Sequence, residues 1–321
     1  MQILEINHLK KYFPVTSGIF LRPTGQIHAV DDVSFTVEKG ETLGIVGESG
    51  CGKTTIGRCI MGLYSLTAGS ITLEGKSLSG MNSVLRKQFT TRVQMIFQDP
   101  YESLNPRHTV RQILEEKFAI HGQSGSEVSN AIKTLIEQVG LGPDALLKYP
   151  HEFSGGQRQR IGIARAVSMT PEVIVCDEPV SALDVSVQSK ILNLLLDLQE
   201  DLGLTYLFIS HDLSVVRHMA DRIIVMYLGK IMEIAQAHTL YTSPFHPYTK
   251  ALLDAVPVPD PSVKTRKTPL KGEIPSAEHP PLGCRFNTRC PDAQPLCREK
   301  EPALTTNSQD PSHKTACHFF R

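Results

Sequence analysis

The sequence carries no excess of either charge: lysine plus arginine and aspartate plus glutamate stand at 33 each, for a formal net charge of zero. That balance gives no support to broad nucleic-acid binding, which rests on a basic surplus. Long apolar runs are also missing. The most apolar stretches, Ile191 to Leu198 and Arg222 to Tyr227, fall well short of the roughly 18 residues a bilayer-spanning helix needs. The opening Met-Gln-Ile-Leu-Glu-Ile-Asn has neither the basic start nor the apolar stretch of a secretory signal. The expectation is a chain that is soluble and intracellular by itself, and that reaches a membrane only through partner subunits. No internal repeat is present, so a single functional unit is expected and not a tandem pair.

What is present is an alternation of strand and helix patterns. Val33 to Val37 alternates as a half-buried antiparallel strand does. Thr42 to Val46 is a short β-branched run that leads into a glycine-rich turn, with a helix expected from about Lys53. Val173 to Cys176 is apolar throughout, the mark of a strand covered on both faces. Thr205 to Ile209 and Arg222 to Met226 read as further strands, separated by a short helix over Leu213 to Met219. From about 100 to 167 the pattern is helical instead, over Val110 to Ala119, Glu127 to Val139 and Gln157 to Val167. Past Val256 the composition changes again, with eleven of the 21 prolines between Pro257 and Pro311. Proline at that density opposes regular structure. The division expected is therefore an α/β domain over 1–255 and an irregular extension over 256–321 that needs cross-links to hold a shape.

Two motifs carry the chemistry. Gly47-Glu48-Ser49-Gly50-Cys51-Gly52-Lys53-Thr54 fits G-x-x-x-x-G-K-[ST], placed after an apolar strand and before a helix, with Thr55 next in line. Its glycines let backbone N–H groups turn toward phosphate oxygens, and the helix N-terminus adds a favourable dipole. Lys53 is expected to reach the β- and γ-phosphates, and the Thr54 hydroxyl to ligate Mg²⁺. The strand Val173 to Cys176 ends in Asp177 and Glu178. Asp177 is a candidate Mg²⁺ anchor, and Glu178 a candidate general base for an attacking water. Cys51, at a cationic loop and helix start, is expected to have a lowered thiol pKa.

Between these motifs stands Phe153-Ser154-Gly155-Gly156-Gln157. It resembles the signature sequence of ABC-type ATPases, with phenylalanine where leucine is usual. The resemblance implies an ABC-type P-loop nucleotide-binding domain, an α/β fold with a RecA-like core, an antiparallel β subdomain and a helical signature subdomain at about 100–167. In that family Ser154, Gly155, Gly156 and Gln157 close on the ATP of a second ATPase subunit. Further positions match one by one. Gln98 resembles the glutamine that senses Mg²⁺ and the attacking water, joining Thr54 and Asp177 in the Mg²⁺ set. Ser181, Ala182, Leu183 and Asp184 look like the D-loop, and His211 like the switch histidine at the γ-phosphate. Phe13 sits where the family places an aromatic on adenine, with Tyr12 as the competing choice.

Gln98 to Arg107, Asp177 to Val187, His246 to Leu253, and Gly283 to Phe286 with Arg289 to Pro291 are similar to one branch, the ATP-binding subunits of dipeptide and oligopeptide permeases. Nickel and antimicrobial-peptide permeases share the pattern. The resemblance implies a heterodimer with a second, homologous ATPase, two transmembrane permease subunits and an external solute-binding protein. It places the chain peripherally on the cytoplasmic face of the bacterial inner membrane. It also implies that Gln98 to Arg107 form a groove for a coupling helix of the membrane subunit. A soluble ABC ATPase of translation or DNA repair is the reading from another class, and the single cassette opposes it.

Cys284, Cys290, Cys297 and Cys317 crowd the C-terminal end in the spacing C-x5-C-x6-C-x19-C. Intracellular proteins rarely use such a cluster for disulfides, and the tight knuckles of structural zinc sites are absent. Zinc, an iron–sulfur cluster and no metal all stay open on spacing alone. Resemblance to the peptide-permease branch favours a [4Fe–4S] cluster with a structural role.

Overall fold

The computed structural model describes residues 1–17, 22–78, 80–256, 270, 272–307 and 310–319. The proline-rich segment 257–269 therefore lies outside the described residues. The chain divides into two compact units, one of Met1–Val37, Thr42–Ser79 and Ser210–Arg321, the other of Glu38–Glu41 and Gly80–Ile209.

The first unit is built on two sets of strands. In one, the strands follow the order Arg22–Glu38, Gln2–Ser17, Ala68–Leu73, Lys76–Ser77. Gln2–Ser17 runs antiparallel to Ala68–Leu73, with Leu4 opposite Leu73 and Ile6 opposite Ile71. The alternation at Val33 to Val37 is present as expected: Val33, Phe35 and Val37 are buried and the residues between them only partly so. In the other set Thr42–Val46 lies parallel to Arg222–Tyr227, Val46 opposite Val225. All five residues of Thr42–Val46 are buried. Arg222–Tyr227 turns back at a hairpin into Lys230–Gln236.

The extension differs from the expectation. Lys314–Thr315 pairs with Lys230–Gln236, placing Thr315 opposite Glu233, and Thr305–Thr306 pairs outside it. An open sheet edge carries unpaired backbone groups, and Lys314–Thr315 covers part of this one, at Glu233 and Ile234. The extension is also docked on residues before 255 by an aromatic contact. Phe286 is fully buried and packs on Tyr227 at 5.3 Å and Tyr248 at 5.2 Å between ring centroids. Tyr248 belongs to the helix Pro247–Ala255. Proline density forbids long elements but does not forbid a strand of two residues, and Phe286 ties the segment to the aromatic side chains of Tyr227 and Tyr248.

The second unit holds three parallel strands. Val173–Asp177 is central, paired with Val93–Ile96 on one side and Thr205–Ser210 on the other. All five of its residues are buried, as its continuous apolar run requires. The helical stretch has Val110–Ile120, Ser126–Gln138 and Gly155–Val167 near the expected bounds. Two short 3₁₀ turns, Pro143–Leu147 and Pro150–Glu152, bridge the last two helices. Ile113, Leu114, Phe118, Ile132 and Ile136 fill the space among them.

Candidate functional site

The phosphate loop follows the strand Thr42–Val46 and enters the helix Lys53–Ile60. Gly52 is left-handed at φ 103°, and a Cβ there would stand 2.1 Å from the Ala29 carbonyl oxygen. Only glycine meets both demands. Lys53 is 4 % exposed. Its ammonium folds back over the loop and donates to the carbonyls of Gly47 at 2.7 Å and Glu48 at 3.1 Å. It also lies 3.8 Å from Cys51 Sγ, and an ammonium held by loop carbonyls and a thiol can exchange them for an anion's oxygens. Ser49 and Gly50 are exposed at the loop tip, while Thr54 and Thr55 are half-buried in the first helical turn.

Cys51 departs from expectation. It is 4 % exposed. Burial pushes its thiol up, and the opposing pull of Lys53 does not offset this. The dipole and the lysine favour a thiolate, but loss of water outweighs them.

Two residues that sequence reasoning missed hold the same loop. Glu48 donates its backbone N–H to the Tyr248 hydroxyl at 3.0 Å. Its carboxylate accepts two hydrogen bonds from Arg289, at 2.6 and 3.0 Å. These partners lie 200 and 241 positions away in the chain, beyond the reach of any local pattern.

The two aromatic candidates sit in different surroundings. Tyr12 donates its hydroxyl to Asp31 at 2.6 Å and sets its ring 4.3 Å from that of His28. It is thereby committed to the framework. Phe13 is only partly buried, edge-on to Tyr64 at 5.2 Å, with the Lys11 ammonium 4.8 Å from its centroid. Tyr64, unnoticed in the sequence, is held by the Arg58 guanidinium at 2.9 Å. His211 is exposed, just ahead of the helix Leu213–Met219. Its neighbour Asp212 caps that helix by accepting from the Ser214 N–H at 2.7 Å.

In the second unit Asp177 is 2 % exposed at the end of its strand. Glu178 follows in the left-handed region at φ 47°, with its N–H donating to the Ile209 carbonyl at 2.9 Å. Such backbone is costly for a non-glycine residue and concentrates at functional positions. The Gln98 amide donates to Glu178 Oε2 at 3.1 Å. Two of the expected residues from separate strand ends thus meet.

The signature segment begins the helix Gly155–Val167. The Ser154 hydroxyl accepts from the Gln157 N–H, and the Gln157 side chain accepts from the Ser154 N–H at 3.0 Å. This reciprocal cap fixes the helix start. Phe153, the departure from leucine, is buried. A Cβ on Gly156 would stand 2.4 Å from the Val187 side chain in the helix Val185–Leu202, so the glycine permits this close approach. In that loop Ser181, Ala182 and Asp184 are exposed and Leu183 is half-buried. Asp184 caps Val185–Leu202 by accepting from the Val187 N–H at 2.9 Å.

The four C-terminal cysteines are free thiols lining one cavity, together with His246 and Phe286. Burial pushes Cys284 up to about 12 and Cys290 up to about 11. Among the described residues no group of three or more His, Cys, Asp or Glu side chains could hold a metal ion. The metal site expected here is thus not found as such. The thiols converge on one cavity without standing as the shell of a single ion, zinc included.

Residues 30–181 match the family described as ABC transporter, and residues 232–297 match the Oligopeptide/dipeptide transporter, C-terminal region. The oligopeptide transport ATP-binding protein AppF of Bacillus subtilis (strain 168) is 54% identical, over 99% of this chain and 97% of the relative. The oligopeptide transport ATP-binding protein OppF of Escherichia coli (strain K12) is 47% identical, over 98% of this chain and 95% of that protein. Among solved structures, the ATP-binding cassette MJ0796 bound to ADP and Pi superposes with a TM-score of 0.65 at 26% identity, covering 73% of this chain and 99% of the other. The fold is that of an ABC ATPase cassette. The chain belongs to the ABC transporter family, within its group of oligopeptide and dipeptide transport ATP-binding proteins.

Proposed function

We propose that this chain is the ATP-hydrolysing subunit of an ABC importer that drives oligopeptides or dipeptides across the cytoplasmic membrane. The observation that carries the reading is the near-complete correspondence with oligopeptide transport relatives, from the first strand through the cysteine-bearing C-terminal region. ABC subunits of this kind are ATPases coupled to transport. No helix among the described residues is long and apolar enough to cross a membrane, in keeping with a peripheral subunit that acts through two permease subunits and an external solute-binding protein. The second ATPase is proposed to be a homologous, different chain. No nucleic acid is involved.

The residues divide the work as follows. The loop amides from Gly47 to Gly52 cradle the triphosphate, and Lys53 exchanges its loop carbonyls for phosphate oxygens. Thr54, Gln98 and Asp177 offer the hard oxygen donors that Mg²⁺ requires. When bound, Mg²⁺ neutralises charge developing on the phosphates. Glu178 accepts the proton of the attacking water, oriented by Gln98. His211 contacts the γ-phosphate, and Phe13 stacks on adenine. Ser154, Gly155, Gly156 and Gln157 serve the nucleotide held by the partner ATPase. The exposed Ser181 to Asp184 communicate with that partner.

Residues 1–255 are proposed as the cassette and 256–321 as its extension. Within the extension, Cys284, Cys290, Cys297 and Cys317 are proposed as thiolate ligands of a [4Fe–4S] cluster. What supports this reading is that the four free thiols line one cavity; such a cluster would staple the segment together.

Uptake in the native cell tests the transport reading. With Glu178→Gln, uptake of a labelled dipeptide or longer peptide is expected to fall to background while nickel uptake is unchanged. Loss of nickel uptake with peptide uptake intact would overturn the peptide assignment.

A further inference from the structure

An acid in the phosphate loop is an electrostatic contradiction. The loop exists to gather a polyanion, and Glu48 places a carboxylate beside its first glycine. Like charge at short range disfavours the incoming anion. The structure resolves the conflict from a distant part of the chain. Arg289 is 9 % exposed and commits both terminal nitrogens to Glu48, Nη1 to Oε2 at 2.6 Å and Nη2 to Oε1 at 3.0 Å. This is the two-pronged geometry in which arginine binds a carboxylate most strongly. Nη1 also reaches the Tyr227 hydroxyl at 3.4 Å, and the guanidinium stands 5.7 Å from the Tyr227 ring centroid. Nε has no hydrogen-bond partner among the described residues, so the ion pair with Glu48 is the arginine's main engagement.

Arg289 is itself well held. Its N–H donates to the Phe286 carbonyl at 3.0 Å. Phe286 packs on Tyr227 and on Tyr248, the same Tyr248 whose hydroxyl receives the Glu48 N–H. Backbone and side chain of one loop residue are thus fixed by a single aromatic-backed cluster.

We propose that Arg289 is a positioning residue for the nucleotide site: it neutralises Glu48, draws its carboxylate toward the C-terminal segment, and so keeps the phosphate loop receptive to MgATP. The role goes beyond the loop's own residues and rests on the nucleotide-binding reading above. The arginine does not touch the nucleotide. Its effect falls on affinity and leaves the chemical step intact.

The experiment measures MgATP affinity of the isolated full-length chain with a fluorescent ATP analogue, and KM and kcat of the assembled transporter. For Arg289→Gln, analogue affinity is expected to fall and KM for ATP to rise roughly tenfold, the scale of losing one charge-assisted contact. The value of kcat stays within about twofold, since no transition-state contact is lost. Adding Glu48→Gln to that variant removes the unpaired carboxylate and restores affinity. A merely structural arginine would give no such rescue. Unchanged affinity in Arg289→Gln, or a loss that Glu48→Gln fails to restore, overturns the proposal. A thermal melt of each variant shows that it is folded, and Arg289→Lys, which keeps the charge, recovers part of the affinity in the same assay. Lys53→Ala serves as the reference. If it abolishes analogue binding while Arg289→Gln does nothing, only the positioning role fails. If Lys53→Ala also leaves binding intact, the nucleotide-site reading fails with it.

Discussion

At the scale of single residues, Lys53 and Glu178 are set for different tasks by their surroundings. Lys53 is buried against loop carbonyls, so its replacement removes binding before chemistry begins. Glu178 is half-buried, strained at φ 47° and accepts the Gln98 amide, so as the proposed general base its carboxylate would bear on the reaction and not on the loop. Lys53→Ala is expected to abolish nucleotide binding, read by the fluorescent analogue. Glu178→Gln should leave binding intact and lower the steady-state ATPase rate of the assembled transporter by at least about 100-fold, the usual weight of a general base. Asp31 shows the same dependence on setting in the framework. Burial alone would raise it, but the Tyr12 hydroxyl and the charges of Lys230 and Arg285 hold it below the usual carboxylate range. Its Arg285 contact, at 2.6 Å, ties the N-terminal strands to the C-terminal segment.

At the scale of elements, a buried cation joins three of them in the second unit. Lys117, on Val110–Ile120, donates to the Gln94 side chain on Val93–Ile96 and to the Arg165 carbonyl on Gly155–Val167 at 2.8 Å. Burial, assisted by the Arg165 charge, pulls Lys117 down to about 7. The unfolded chain keeps its proton up to the ordinary lysine value near 10.5, so between these limits the unfolded state binds more protons. Stability therefore rises with pH across that window, by up to about 1.4 kcal/mol per unit from this group. Urea unfolding at pH 7, 8.5 and 10 should show the rise, and Lys117→Met should flatten it. The elements themselves were largely legible in the sequence. The strands Thr42–Val46 and Val173–Asp177 and the helix Leu213–Met219 lie where β-branched runs and apolar spacing put them. The phosphate-loop motif and the signature resemblance were also visible in the sequence, because both are local in it. The Arg289–Glu48 pair and the Phe13–Tyr64 contact were not legible, since they join distant positions that no periodicity relates. Cys51 was misjudged because proximity to a cation is visible in sequence and burial is not.

At the scale of the whole molecule, the C-terminal segment is framework as well as appendage. It supplies the strand Lys314–Thr315 to the edge at Lys230–Gln236 with Thr305–Thr306 outside it, the buried Phe286, and a buried hydrogen bond between His313 Nε2 and Glu233 Oε1 at 2.6 Å. The Glu233 side chain also accepts from the Phe245 N–H at 2.7 Å and the His246 N–H at 3.1 Å, so it joins the C-terminal strand to the turn ahead of the helix Pro247–Ala255. The cysteines sit within this framework, and their proposed cluster has a direct check. Protein purified without oxygen should be brown and contain about four irons per chain, as a four-cysteine cubane requires. Colourless protein rich in zinc would reject the cluster while leaving the motor residues untouched.

The pairing of Arg289 with Glu48 also orders events in time. Chains emerge from the ribosome with their N-terminus first, at about 5–20 residues per second. The two partners are 241 positions apart, so the loop acid is made roughly 12–50 s before the arginine that neutralises it. For that interval the nascent chain carries its phosphate loop complete in sequence and still lacking its counter-charge. On the proposed role of Arg289, full affinity for ATP is thereby deferred until synthesis is nearly finished, and a polypeptide cut short before Arg289 is expected to bind ATP about tenfold more weakly.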